Sequence, residues 1–333
     1  MEPNKNDGQR VLMVDTGRLA KFIYKHPTAF RMKEWMKRRL HGPYHFMRTI
    51  YQWLRLRGVK NPFYNFFVFP IGAFLRKKRF PPAYNPYKPL EAIRNRHAGE
   101  SCFIIGNGPS LSMADLEKLE ESGIPSFAMN LAYVAYEDTK WRATYYLFGE
   151  PHFFELPDEI KKEVPFGQLS KRETFMSQPF RKLKLQDVVY VPVSWTDQWV
   201  NSRPHDYFSD DLLWGLYTIG SSGVITMQLA AHLGFKKIYL LGMDNTFESP
   251  EGKRYFSNKY IAGVTEMPPN PEETLIYQEE GYKSRAKCFE IMGNNLKKSY
   301  GVEIFNATRG GALEVFPRID FDDAMKEIKE EKK

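Results

Sequence analysis

The stretch from Thr218 to Asp244, TIGSSGVITMQLAAHLGFKKIYLLGMD, admits few folds. A Gly-Ser-Ser-Gly turn opens it, Val224, Met227, Leu229, Ala230 and Leu233 give the next segment a helical apolar content, and Gly234 stops it. Lys236 to Leu241 then reads as an apolar strand that ends in Gly242, Met243 and Asp244. A helix returning directly into a buried strand is an αβ unit, the repeating piece of mostly parallel α/β sheets. Both ends of the unit carry polar groups. Ser221 and Ser222, followed by Gly223, either cap the helix or hold a phosphate at its N-terminus. Asp244 at a strand end has three uses open to it: coordinating Mg²⁺, hydrogen-bonding a ribose, or capping a loop.

A second strand-and-turn signal lies upstream. In Ser101 to Leu111, SCFIIGNGPSL, the apolar run Phe103, Ile104 and Ile105 suits a buried strand, and it breaks at Gly106, Asn107, Gly108, Pro109 and Ser110. Ser110 is placed to cap the helix that follows, SLSMADLEKLEE, whose apolar face is Leu111, Leu116 and Leu119, with Asp115 and Glu117 near its positive end. A strand, a glycine turn and a helix N-terminus together offer N–H groups to an anion. The pattern is neither GxGxxG nor GxxxxGK[ST], so a ligand-free turn is an equal alternative at this point.

Other strand ends supply further polar groups. Pro125 to Asn130 reads as a strand that delivers Asn130, and Ala143 to Phe148 as one that delivers Glu150 and His152. Val188 to Val193 is a strand amid otherwise uninformative sequence, Glu272 to Lys298 has helical composition, and Val302 to Phe305 is a short last strand. Arg309, in the turn after it, is a candidate anion contact or an ordinary solvated arginine. Asn245 to Glu273, with Tyr255 inside it, is long enough to act as a lid. The tail DAMKEIKEEKK is a charged helix or a fray. There is no Cys/His metal spacing, no HExxH and no GxSxG elbow, so no metal centre is expected.

Composition divides the chain. With 333 residues and 42% apolar content it can bury a full core, which excludes a disordered protein. Cys102 and Cys288 form neither a disulfide framework nor a ligand set, as expected of a reducing cytoplasm, and Met1 to Asp15 has no secretory pattern. The net charge of +8 is unevenly spread: residues 1 to 80 hold 18 Lys and Arg against 4 Asp and Glu, the remainder 30 against 36. Aromatic and aliphatic residues such as Phe22, Trp35, Met36, Phe46 and Trp53 alternate with these bases. Asn61 to Leu75, NPFYNFFVFPIGAFL, is uncharged and is closed by Arg76, Lys77, Lys78 and Arg79. Spanning a bilayer takes roughly 20 apolar residues, so this run suits the lipid interface instead. Residues 1 to 85 are thus expected to form a basic, helical, membrane-associating extension; helices packed on the main domain with solvated charges are the alternative, and a nucleic-acid-binding arm ranks last. Pro81, Pro82, Pro86 and Pro89 mark its boundary with a nucleotide-binding domain over 86 to 333.

Four ordered motifs, IIGNGPSL, AMNLAYVAYEDTKWRATYY, the Gly220 to Asp244 unit and FNATRGGALEVFPRIDFDD, resemble the 6-hydroxymethylpterin diphosphokinase MptE-like domain family over about residues 95 to 325. Its bacterial members often accompany surface-polysaccharide genes. GNGPSL and SSGVITMQLAAHLGFKKIYLLGMD are also similar to bacterial sialyltransferases that use CMP-sialic acid. That resemblance implies one Rossmann-like nucleotide domain, a GT-A-like sialyltransferase variant. It implies that Asn107 and Gly108 meet the donor phosphate and ribose, that Asn130 holds the donor, and that Ser222 and Gly223 face it. Glu150 stands where those enzymes have asparagine, Tyr255 matches one of their two phosphate-directed tyrosines, and Thr246 takes the approximate place of the other. Their histidine base has no counterpart in AGVTEMPPNPEETLIY, which leaves Glu266, Glu272, Glu273, Glu150 or His152 to activate an acceptor hydroxyl.

The expectation is therefore a membrane-associated bacterial glycosyltransferase at the inner face of the cytoplasmic membrane, with a nucleotide-sugar donor, a lipid-linked or glycan acceptor and no required cofactor. Two alternatives stand beside it. One is an ATP- and Mg²⁺-dependent diphosphokinase with Asp244 or Glu150 as metal ligand, the other a non-enzymatic membrane-bound scaffold of the same fold.

Overall fold

The structure is a computed structural model that describes residues 88–149, 158–194, 212, 216–217, 221–246, 255–257 and 271–331, with backbone alone for 88, 158–160, 178–179, 182, 194, 217 and 271–281. The basic arm and its boundary at residue 85 lie outside the described residues.

Seven parallel strands make the main sheet: β1 (Ser101–Ile105), β2 (Ser126–Met129), β3 (Tyr145–Phe148), β4 (Thr174–Ser177), β5 (Val188–Val191), β8 (Lys237–Leu241) and β9 (Glu303–Asn306). Two short strands, β6 (Val193–Ser194) and β7 (Leu216–Tyr217), pair separately. The spatial order is β5-β4-β3-β2-β1-β8-β9. The chain thus builds outward from β1 in one direction, then returns to its other side with β8. Strands β1 and β8 run in register from Ser101 opposite Lys237 to Ile105 opposite Leu241. Both therefore end at the same level, at the point where strand order reverses, which is where open α/β sheets bind ligands.

Side-chain alternation along these strands fills two cores. Cys102 and Ile104 of β1 join Phe127, Tyr145 and Leu147 on one face, while Phe103 and Ile105 join Ala128, Tyr146, Phe148 and Leu241 on the other. The first face is covered by α4 (Ser222–His232) and α5 (Pro271–Tyr300), the second by α2 (Met113–Ser122) and α6 (Phe321–Glu331), and two short helices, α1 (Lys88–Ala92) and α3 (Asp158–Glu163), complete the described set. Every residue of α4 is buried, because α5 packs on its outer side. Two of its polar side chains bond within the helix, Thr226 Oγ1 to the Ser222 carbonyl at 2.9 Å and Gln228 Nε2 to the Val224 carbonyl at 3.0 Å, and His232 Nε2 reaches the Leu90 carbonyl at 2.7 Å. The tail is a true amphipathic helix, with Phe321, Ala324, Met325 and Ile328 buried. Among the described residues, no helix is long and apolar enough to cross a membrane.

Candidate functional site

At the C-terminal ends of β1 and β8 the two chains touch backbone to backbone. Gly106 N–H donates to the Leu241 carbonyl at 2.7 Å and Gly108 N–H to the Gly242 carbonyl at 2.9 Å. A Cβ on Gly106 would fall 2.2 Å from the Gly242 carbonyl oxygen, well inside van der Waals contact, so only glycine permits this approach. Gly108 is equally confined, since its Cβ would fall 1.8 Å from Asp244 Oδ2.

Asp244 is the clamp of this turn. It is buried, its Oδ2 accepts from Ser110 Oγ at 2.8 Å, and its Oδ1 from the Ser110 N–H at 3.2 Å. Burial raises its carboxyl pKa above the usual aspartate value, against the lowering pull of those two Ser110 bonds. The turn after β9 fixes it from behind: Ala312 N–H donates to the Asp244 carbonyl at 2.7 Å, and Met243 N–H to Thr308 Oγ1 at 3.0 Å. Asp244 therefore caps the turn, and it also lines the adjoining cavity. Ser110, expected to cap the next helix, does not. Helix α2 begins at Met113 with Ser112 at its N-cap, and Ser110 is drawn to a carboxylate 134 residues away instead.

Asn130 ties the neighbouring strand ends to helix α4. Held in the left-handed region at φ 55°, it donates from Nδ2 to Ser222 Oγ at 3.1 Å and accepts at Oδ1 from Gly149 N–H at 3.3 Å. Tyr146 Oη donates to its carbonyl at 2.7 Å. Ser221 is the N-cap of α4, its hydroxyl accepting from Gly223 N–H at 3.2 Å. Gly223 leaves room for Phe289, whose ring would lie 2.9 Å from a Cβ there. Asn107 Nδ2 donates to the Met129 carbonyl at 3.2 Å, and its own carbonyl accepts from Phe256 N–H at 3.3 Å.

These groups enclose a cavity of about 300 Å³. Gly106, Asn107, Gly108 and Pro109 form one wall, Asn130 with Ser221, Ser222 and Gly223 another, and Gly242, Asp244, Asn245, Thr246 and Tyr255 a third. Met243, Phe289 and Leu313 supply apolar surface. Most of the binding residues named from sequence thus meet in one place. Arg309 does not. It is drawn to buried Asp115, with Nε and Nη2 donating to the carboxylate at 2.9 and 3.1 Å, while Asp320 lies 3.5 Å from Nη1 and Asp322 3.5 Å from Nη2. This acidic group, contributed by α2 and the start of α6, explains why the guanidinium serves packing rather than the cavity.

Sequence reading missed Arg285, Asn245 and Phe289, all of which line the cavity. Arg285 and Phe289 sit one helical turn apart on α5, but Arg285 lies between Lys283 and Lys287, and nothing local separates a cavity-facing base from solvated ones. Glu150, His152 and Glu266 lie outside the described residues, as do the side chains of Glu272 and Glu273 at the start of α5. Among the described residues, no group of three His, Cys, Asp or Glu side chains is arranged to hold a metal ion.

Fold and cavity together define a Rossmann-like α/β protein with a crevice at its topological switch point. No family model and no curated protein matches the chain. Among solved structures it is similar to the MAf glycosyltransferase from Magnetospirillum magneticum AMB-1, at 15% identity over 72% of this chain with a TM-score of 0.42. The chain spans only 38% of that protein's length. It is also similar to the sialyltransferase CstII from Campylobacter jejuni, solved with cytidine-5'-monophosphate, at 16% identity over 67% of this chain and 85% of the other, TM-score 0.36. A mammalian sialyltransferase solved with Gal-beta-1-3GalNAc-ortho-nitrophenol is similar at 13% identity over 80% and 86% of the two chains, TM-score 0.33. No residue role is carried over from these low-identity likenesses.

Proposed function

We propose that the protein is a glycosyltransferase that takes a sugar from a nucleotide donor, CMP-linked by the motif resemblance, for bacterial surface polysaccharide or glycolipid assembly. One observation carries this reading: a glycine turn and the N-terminus of a fully buried helix face each other across a cavity at the switch point. The N-terminus of α4 aims its dipole at that small volume, and the glycine turn lets backbone approach closely from the other side, an environment that suits a nucleotide phosphate. In a single displacement the bond from the anomeric carbon to the donor phosphate oxygen breaks as the acceptor hydroxyl oxygen bonds that carbon. The hydroxyl proton passes to a base, and the nucleotide departs with the negative charge on its phosphate. Preorganised donors around that phosphate favour departure. The proposal includes attachment of the basic arm to the anionic inner face of the cytoplasmic membrane, which would bring a lipid-linked acceptor to the cavity.

The diphosphokinase alternative asks for carboxylates on Mg²⁺, and Asp244 is the one carboxylate among the described residues that line the cavity. A thermal-shift panel of CMP, CDP, UDP, GDP and ATP, each with and without Mg²⁺, separates the readings. A ligand at 100 times its Kd adds about 2.7 kcal/mol, a readily measured shift. Stabilisation by CMP without metal is expected. Stabilisation by ATP with Mg²⁺ alone would overturn the proposal in favour of pyrophosphate transfer.

A further inference from the structure

The cavity lining contains two ionised side chains among the described residues, Asp244 and Arg285. Their situations differ. Asp244 has its oxygens engaged by Ser110 and is buried behind the turn. Arg285, half-buried on α5, has no carboxylate partner among the described residues; its guanidinium rests over the Tyr282 ring, 4.7 Å from the centroid. That contact leaves the planar fork of N–H donors unused, because the ring face takes only the charge. Arginine keeps its proton at any working pH, so this wall of the cavity is permanently cationic.

Asn245 occupies the same sector. Its Nδ2 donates to the Tyr282 carbonyl at 3.2 Å, while its buried Oδ1 has no hydrogen-bond partner among the described residues. Its backbone is held at φ 53°, a strained setting that the surrounding packing maintains. Arg285 and Asn245 thus both line the cavity and both contact Tyr282. An unused guanidinium on a cavity wall matches a ligand that carries an anionic group, as a sugar phosphate does.

We infer that Arg285 is the phosphate-binding residue of this cavity, gripping the nucleotide phosphate with its free N–H fork. The inference rests on the nucleotide reading of the site and assigns to α5 the anion contact that sequence assigned to Arg309. A phosphate bound by a charged fork is recognised apart from the nucleoside, so loss of the charge lowers affinity for the nucleotide and not for the nucleoside.

The test is calorimetric titration of the full chain with CMP, a CMP-sugar, cytidine and inorganic pyrophosphate, for wild type, Arg285→Gln, Arg285→Lys and Arg309→Gln. Charge-assisted hydrogen bonds predict that Arg285→Gln weakens CMP about tenfold or more with cytidine unchanged. Arg285→Lys retains charge but loses the fork and falls between; it also decides the matter should the glutamine variant fail to fold. Arg309→Gln leaves CMP affinity unchanged, which removes net charge as the explanation. Wild-type-like CMP binding in both Arg285 variants would overturn the inference and leave the nucleotide reading standing. Arg285→Gln that impairs a CMP-sugar but not CMP would overturn it in favour of a sugar carboxylate. Absence of binding by wild type to any nucleotide or to pyrophosphate would sink the site reading and the inference with it.

Discussion

At the scale of single residues, Asp244 carries the most information, because its environment makes a prediction that other acids in the chain do not. Burial raises its pKa above the ordinary 3.8. A carboxyl with a raised folded-state pKa is favoured by folding in its protonated form. Its contribution is therefore fully present below 3.8 and is lost as pH rises through the raised value. Asp244→Asn does not titrate, and the remaining acids titrate alike in both proteins. The stability of wild type minus that of the variant should fall as pH rises above 3.8 and level off once the raised value is passed. Urea unfolding at several pH values measures it. A difference independent of pH would mean that Ser110 holds the carboxyl ionised throughout.

At the scale of elements, the tail helix α6 shows how sequence and structure divide the work. Its charged residues Lys326, Lys329 and Glu330 suggest a fray, yet Phe321, Ala324, Met325 and Ile328 recur at helical spacing and close the second core over β1 and β8. Ile328→Ala should cost about 2 to 5 kcal/mol, the usual range for emptying a buried aliphatic site, while Glu330→Ala should cost about 0.5 kcal/mol or less. Urea midpoints decide this; equal, small losses would show α6 to be dispensable. The αβ unit ending at Asp244 and the strand before Gly106 were legible because short apolar runs bounded by glycine are local signals. Strand β4 was not, since Thr174 to Ser177 is four residues of mixed character, made a strand by pairing with β3 and β5 on either side. The Gly106 to Pro109 wall and Ser221 to Gly223 could likewise be read from the chain. The partners that fix them, Ser110 with Asp244 and Asn130 with Ser222, lie 134 and 92 residues apart and appear only when the sheet brings strand ends level. Arg285 is invisible for the same reason: its place depends on how α5 docks.

At the scale of the whole molecule, the charge division sets the last prediction. A protein with 18 Lys and Arg against 4 Asp and Glu in its first 80 residues, and an acidic remainder, has a strongly asymmetric field. Near an anionic leaflet each basic residue contributes about 1 kcal/mol, and the aromatic residues of the same segment add apolar insertion. Neither term alone gives the behaviour expected here. Charge by itself would be screened away at high salt, where the Debye length shrinks from about 8 Å to about 3 Å; insertion by itself would not distinguish lipid headgroups. Together they predict that the full chain co-floats with phosphatidylserine-containing vesicles, far less with pure phosphatidylcholine vesicles, and is only partly released by about 1 M salt. Complete release at high salt would reduce the arm to an electrostatic contact. Equal binding to both vesicle types would make it a hydrophobic one, and absence of binding to either would remove the membrane from the proposed function while leaving the nucleotide cavity untouched.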